Sequence, residues 1–265
     1  QNGGERPTVG LVLAGGGAKG AAHIGVIKLI EEVGIPIDYV AGTSMGSIIG
    51  GMYALGYSSA EMDSIISNMD WSFYMSNKVD RREVSYEHKS MDSRYLIDIP
   101  FDIPKKINDR LIKGMTEENL EDVTVIGQKS FVNSLPGGYI NGNNIFNMLN
   151  SLAVGYQDSI NFNNLPIPYA CVSVNAMDGS QKIHRDGSLP TAMRASMAIP
   201  GVFTPVHVGN EVLVDGGMLN NFPVDVCKAM GADIIIGVNL SGGLSSDKDK
   251  ISALPGLLGQ LFGII

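Results

Sequence analysis

A chain of 265 residues with 44% hydrophobic and 17% charged side chains has room for one large core and is too apolar to be disordered. Its formal net charge of -8 argues against a nucleic-acid partner. The same charge gives no general attraction to anionic lipid, so peripheral membrane contact is expected to be local and apolar. No low-complexity linker, repeat or block of like charge divides the chain, and one α/β domain is expected.

Residues 9–14 form a short apolar run that reads as a buried parallel strand. Gly15-Gly16-Gly17-Ala18-Lys19-Gly20 interrupts it. A helix then runs to Val33, with Ala22, Val26, Leu29, Ile30 and Val33 at helical spacing and Gly34 to end it. A second strand follows Pro36 and leads into Gly42-Thr43-Ser44-Met45-Gly46 and a helix over 45–55. Ser58 or Ser59 caps another helix, with Glu61 and Asp63 in its first turn. This β-α-β unit calls for parallel strands and a right-handed crossover.

From 70 to 135 charges and isolated aromatics alternate without a period, which fits either a lid facing the substrate or a solvated excursion with short strands. A helix resumes at Asn143, carrying Ile145, Phe146, Leu149 and Leu152. Strands at 169–175 and 181–184 are joined by an Asp178-Gly179 turn. Residues 191–197 read as helical, and Ile199-Pro200-Gly201 turns the chain. Strands at 206–208 and 212–214 flank Gly209-Asn210 as a second hairpin. Pro223 opens a helix to Met230, and 234–238 is a further buried strand.

The domain is thus expected over 9–240, between an N-terminal tail, 1–8, and a C-terminal tail, 241–265. Residues 254–265 are apolar and Gly-punctuated, either a surface-seeking helix or the point where a longer polypeptide was cut. A chain opening on Gln1 reads as one that lost an N-terminal piece. A secretory leader would place it in the periplasm, outside the cell or at an outer membrane; otherwise it is cytoplasmic. No run of about 18 apolar residues is present to span a bilayer as a helix. Cys171 and Cys227 read as small buried hydrophobes without a disulfide. The scattered histidines, His23, His88, His184 and His207, give no metal cluster.

Gly42-Thr43-Ser44-Met45-Gly46 is a G-x-S-x-G pentapeptide between a strand and a helix. Such a turn lifts the Ser44 hydroxyl clear of the backbone at the carboxyl end of the sheet, the arrangement of a serine acyl hydrolase. Gly15, Gly17 and Gly20 also satisfy a dinucleotide fingerprint, but the acid that fingerprint needs, Asp38, lies at the start of the second strand rather than its end. Successive glycine N–H groups at a helix N-terminus serve better as a cradle for an oxyanion. Lys19 adds positive charge there or is simply solvated. The base is either His184 or His207 with an upstream acid, or an aspartate touching the serine. Asp178, Asp186 and Asp215 each precede a glycine, and Asp215, followed by Gly216-Gly217 after an apolar strand, stands out.

Gly15 to Gly20, Gly42 to Gly46 and Asp215-Gly216-Gly217 together resemble the three motifs of patatin-like phospholipases, in the bacterial branch related to neuropathy-target-esterase-type lipases. Ala195-Ser196-Met197-Ala198-Ile199-Pro200-Gly201-Val202-Phe203 resembles the block preceding the Asp motif of that branch. The resemblance implies a three-layer α/β/α sandwich with a mainly parallel sheet. It implies a Ser-Asp dyad of Ser44 and Asp215, an oxyanion hole of Gly15, Gly16 and Gly17, and a lipid or phospholipid acyl ester as substrate. No metal or cofactor is called for. A catalytically weak lipid- or nucleotide-binding module and a Ser-His hydrolase using His207 are the competing readings. Head group, acyl length, oligomeric state and the choice between water and another alcohol as acceptor are left open.

Overall fold

The structure is a computed structural model that describes residues 6–78 and 138–240. Up to residue 78 it comprises β1 (Val9–Leu13), α1 (Ala22–Val33), β2 (Tyr39–Thr43), α2 (Met45–Ala54), α3 (Ser59–Asn68) and the single turn α4 (Trp71–Tyr74). From 138 come β3 (Gly138–Ile140), α5 (Asn143–Leu152), β4 (Ile160–Asn161), β5 (Tyr169–Asn175), β6 (Ser180–His184), β7 (Asp186–Gly187) and α6 (Leu189–Ser196). β8 (Gly201–Phe203), β9 (Val206–Val208), β10 (Glu211–Asp215), α7 (Val224–Met230) and β11 (Ile234–Val238) complete it. The predicted insertion beyond residue 78, with His88, and the predicted tail at 241–265 lie outside the described residues.

Among the described residues the central sheet has seven strands, with β11, β1, β2 and β5 parallel in that order. β10 and β6 pair antiparallel with β5, and β9 with β10. The register around β5 explains how distant motifs meet. β6 covers one edge of β5 over Cys171 to Asn175. β2, paired through Thr43 and Val172, and β10, paired through Asp215 and Ser173, must therefore share the opposite edge. They approach from opposite directions and stop against consecutive residues of β5. Ser44 and Asp215 are delivered to one point by strand pairing.

Pleating sorts the core into two layers. Leu11, Leu13, Val40, Tyr169 and Cys171 face a cluster built from α1, α2, α3, α5 and α6. Val12, Ala41, Ala170 and Val172 face Val226, Cys227 and Met230 of α7. The result is the expected α/β/α arrangement. Cys171 and Cys227 are free, buried thiols on opposite faces, and burial pushes them up to about 12 and about 11.

Both predicted hairpins form, β5–β6 and β9–β10. Ser58 caps α3 in a capping box with Glu61. Three expectations are corrected. On α1 the buried side is His23, Ile24, Ile27 and Ile30, whereas Leu29 and Val33 are exposed. The sequence holds two apolar stripes at helical spacing, and the hydrogen bond from His23 to the Ala14 carbonyl lies on the buried one. β11, expected to be buried, is only partly so, with Ile234 exposed, and among the described residues it ends the strand order. Residues 71–74, read as lacking periodicity, form α4, whose N-cap Asp70 accepts the Phe73 N–H at 3.1 Å.

Candidate active site

Ser44 sits at the junction of β2 and α2 with φ 53° and ψ -125°, and it alone among the described non-glycine residues has positive φ. A conformation of this kind costs about 1–3 kcal/mol and persists only where its surroundings enforce it. Here they do. The Ser44 N–H donates to Ser196 Oγ at 3.0 Å, and the Ser196 hydroxyl donates to the Val172 carbonyl at 2.6 Å. The Ser44 carbonyl accepts the Ser47 N–H at 2.9 Å, which starts α2. A Cβ on Gly46 would strike the carbonyls of Leu13 and Ala14, and one on Gly42 would strike the Gly46 carbonyl. Gly46 is thus required by how closely the turn folds over the end of β1, and Gly42 by how closely the turn folds on itself.

The Ser44 hydroxyl donates to Asp215 Oδ2 at 2.7 Å across 171 positions of sequence. The other oxygen, Oδ1, accepts the Gly217 N–H at 2.7 Å. Gly216 passes so close to the Val172 carbonyl that a Cβ would collide with it. Asp215 is 1% exposed, and burial raises its pKa to about 7, against the lowering effect of the bonds from Ser44 and Gly217. A carboxylate of ordinary acidity is too weak a base for a serine; burial makes this one stronger.

The glycine loop lies beside Ser44: a Cβ built on Gly15 would come within 3.0 Å of Ser44 Cβ. Of the three predicted oxyanion donors, one is already engaged. The Gly15 N–H donates to the Asn221 carbonyl at 3.0 Å, so Gly15 contributes close approach and not a donor. Among the described residues no acceptor takes the N–H of Gly16, Gly17 or Met45. Gly20 packs against the Met45 side chain. Lys19 is exposed, and its N–H donates to the Gly16 carbonyl at 3.1 Å, in keeping with the solvated alternative.

Neither histidine considered as a base reaches the serine. His184 shares a hydrogen bond with Ser173 at 2.7 Å, and burial, with the charge of Lys182, lowers it to about 4. His207 is exposed on β9, opposite Val212. Asp178 accepts the N–H and hydroxyl of Ser180 in the β5–β6 turn, and Asp186 is exposed in β7. Asp38 is taken by Arg6 at 2.6 and 2.7 Å and by the Val9 N–H at 2.7 Å. It is a structural anchor immediately before β2, at the end of the strand opposite Gly42-Thr43-Ser44.

Three residues at the site carried no signal in the motif reading. Ser196 supports the Ser44 turn. His23, buried in α1, bonds through Nε2 to the Ala14 carbonyl at 2.8 Å. Asn221 holds Gly15, and its neighbour Asn220 accepts the Thr43 hydroxyl at 2.8 Å. Only Ser196 lay in a block singled out by resemblance. Among the described residues no group of three or more His, Cys, Asp or Glu could hold a metal ion, and no helix is long and apolar enough to cross a membrane.

The family model for patatin-like phospholipases matches residues 11–228. Lysophospholipase NTE1 of Mycosarcoma maydis is 30% identical over 233 residues, 88% of this chain and 10% of that protein. Human patatin-like phospholipase domain-containing protein 6 is 31% identical over 247 residues, 92% of this chain and 14% of its own length. An uncharacterized NTE family protein of Mycobacterium tuberculosis is 30% identical over 259 residues, 96% of this chain and 35% of that one. The chain therefore spans only a minor part of the curated relatives it matches. Among solved structures, VipD from Legionella pneumophila is similar at 19% identity with a TM-score of 0.46, over 82% of this chain and 47% of that one. The family match runs from β1 into α7 and takes in the glycine loop, the Ser44 turn and Asp215: the chain belongs to the patatin-like phospholipase family.

Proposed function

We propose that this chain is a serine acyl hydrolase that cleaves lipid acyl esters through Ser44 and Asp215, with residues 9–240 as the catalytic unit. The observation that carries the reading is the 2.7 Å hydrogen bond from the Ser44 hydroxyl to a carboxylate that is 1% exposed. Ser44 Oγ attacks the ester carbonyl as Asp215 Oδ2 takes its proton. The carbonyl oxygen becomes an oxyanion, received by the N–H groups of Gly16 and Gly17 and by that of Met45, the residue after the nucleophile. Collapse of this intermediate breaks the ester bond, and Asp215 returns the proton to the departing alcohol. Water then attacks the acyl-enzyme while Asp215 accepts its proton; collapse of the second intermediate breaks the acyl–Oγ bond, releases the acid, and Asp215 returns the proton to Ser44 Oγ.

The substrate class is supported by the family and by the one relative above that is named a lysophospholipase. Peripheral contact with a lipid surface is supported by Met218 and Leu219, which are 52% and 57% exposed immediately after Asp215-Gly216-Gly217. The test is hydrolysis of short p-nitrophenyl esters and of lysophospholipid by the wild type, Ser44→Ala and Asp215→Asn. Both substitutions are expected to abolish turnover while leaving the folded secondary structure intact. Full turnover in Ser44→Ala removes the proposal.

A further inference from the structure

Donors that face an oxyanion work only if their peptide planes are held, and in this loop a side chain from a distant segment holds one of them. A trans peptide points its C=O and N–H in opposite directions, and the described chain has no cis peptide. Fixing the Gly15 carbonyl therefore fixes the Gly16 N–H. That carbonyl accepts Nδ2–H of Asn221 at 3.2 Å, while the Gly15 N–H donates to the Asn221 backbone carbonyl at 3.0 Å. One residue grips Gly15 on both sides. The carboxamide also fills the space a Gly15 Cβ would take, with Cγ 3.4 Å from that position. The next peptide is held differently: the Gly16 carbonyl accepts the Lys19 N–H at 3.1 Å, a backbone bond that any side chain preserves. Of these contacts, only the Asn221 carboxamide bond can be removed by substitution.

We infer that Asn221 is a positioning residue for the oxyanion: its carboxamide sets the Gly15–Gly16 peptide so that the Gly16 N–H, unpaired among the described residues, receives the developing negative oxygen. Asn221 touches no reacting atom in this scheme and acts through Gly16. The inference deepens the hydrolase reading and rests on it. It also gives the segment that begins at Asp215 a third task. That segment supplies the base, anchors the residue before the nucleophile through Asn220 and Thr43, and orients the opposite wall of the site through Asn221.

The experiment compares Asn221→Leu, which keeps the branched shape and loses the N–H, with Asn221→Ala. It uses a short p-nitrophenyl ester as substrate and a trifluoromethyl ketone as probe, because the ketone forms an oxyanion with the serine. In both variants kcat falls about 10- to 100-fold with KM within about twofold, and affinity for the ketone falls in parallel with kcat. A purely structural role would instead move KM or the thermal midpoint and leave the ketone's advantage over substrate intact. Unchanged kcat in a folded variant, or lost kcat with undiminished ketone affinity, overturns the inference. If Asn221→Leu does not fold, Asn221→Ala decides by the same two readings. Retained turnover in Ser44→Ala would overturn the hydrolase reading itself, whereas a dead Ser44→Ala beside a fully active Asn221→Leu would remove only the clamp.

Discussion

Asp178 and Asp215 are both followed by glycine, both lie beside β5, and both accept two hydrogen bonds from neutral donors, yet their carboxyls are shifted in opposite directions. Asp178 is exposed, and the bonds from the hydroxyl and N–H of Ser180 hold it below the ordinary carboxylate range. Asp215 takes comparable bonds from Ser44 and Gly217 and is nevertheless raised to about 7, because burial outweighs them. The dipeptide and the donor count are the same. What differs is solvent, and solvent decides which aspartate is a useful base at neutral pH.

The sharpest way to break this comparison is to neutralise each acid in turn. Asp215→Asn is expected to lower kcat on a short ester by roughly 10³-fold or more, while Asp178→Asn stays within about twofold. Equal losses in the two variants would mean that neither is the base. The pH profile comes next in size. Only ionised Asp215 accepts a proton, so kcat/KM should rise about tenfold per pH unit up to about 7 and level off above it. A midpoint near the ordinary carboxylate value would show that burial does not govern the site.

Ser196→Ala is expected to leave the Ser44 N–H without its acceptor and cost about 1–3 kcal/mol of stability, read as a lowered denaturation midpoint. Stability also carries a pH signature. The folded protein holds a proton on Asp215 between the unfolded value, 3.8, and about 7, so the stability this group contributes is full below that window and lost as pH rises through it. Relative to wild type, Asp215→Asn should therefore gain in thermal midpoint from pH about 5 to about 8. His207→Ala is the smallest expected effect: turnover within about twofold, because its side chain is exposed on β9.

Much of the candidate site's geometry was legible because close backbone packing forces glycines into fixed places. The Ser44 turn needs Gly42 and Gly46 for contact with neighbouring carbonyls, and Asp215 needs Gly216 beneath Val172. Those needs leave marks in sequence. The donor set did not, since three glycines in a row show three N–H groups but not that Asn221 already occupies the first. His23 and Asn221 were silent, and Ser196 showed only through its block, for a related reason: each bonds backbone far away in sequence or outside its own element, and such bonds have no period. Fold class came through in the short apolar runs, whereas the rotation of α1 did not. Val26, Leu29 and Val33 match the helical repeat as well as Ile24, Ile27 and Ile30, and only tertiary packing chooses between them.

The rate at which a fluorophosphonate labels Ser44, followed from about pH 5 to about pH 9, tests most directly whether Asp215 takes the serine proton unaided. The account predicts one ionisation near 7 in the wild type, the same curve in His207→Ala, and labelling nearly lost at every pH in Asp215→Asn. Labelling of Asp215→Asn at the wild-type rate, or its disappearance in His207→Ala, would contradict it.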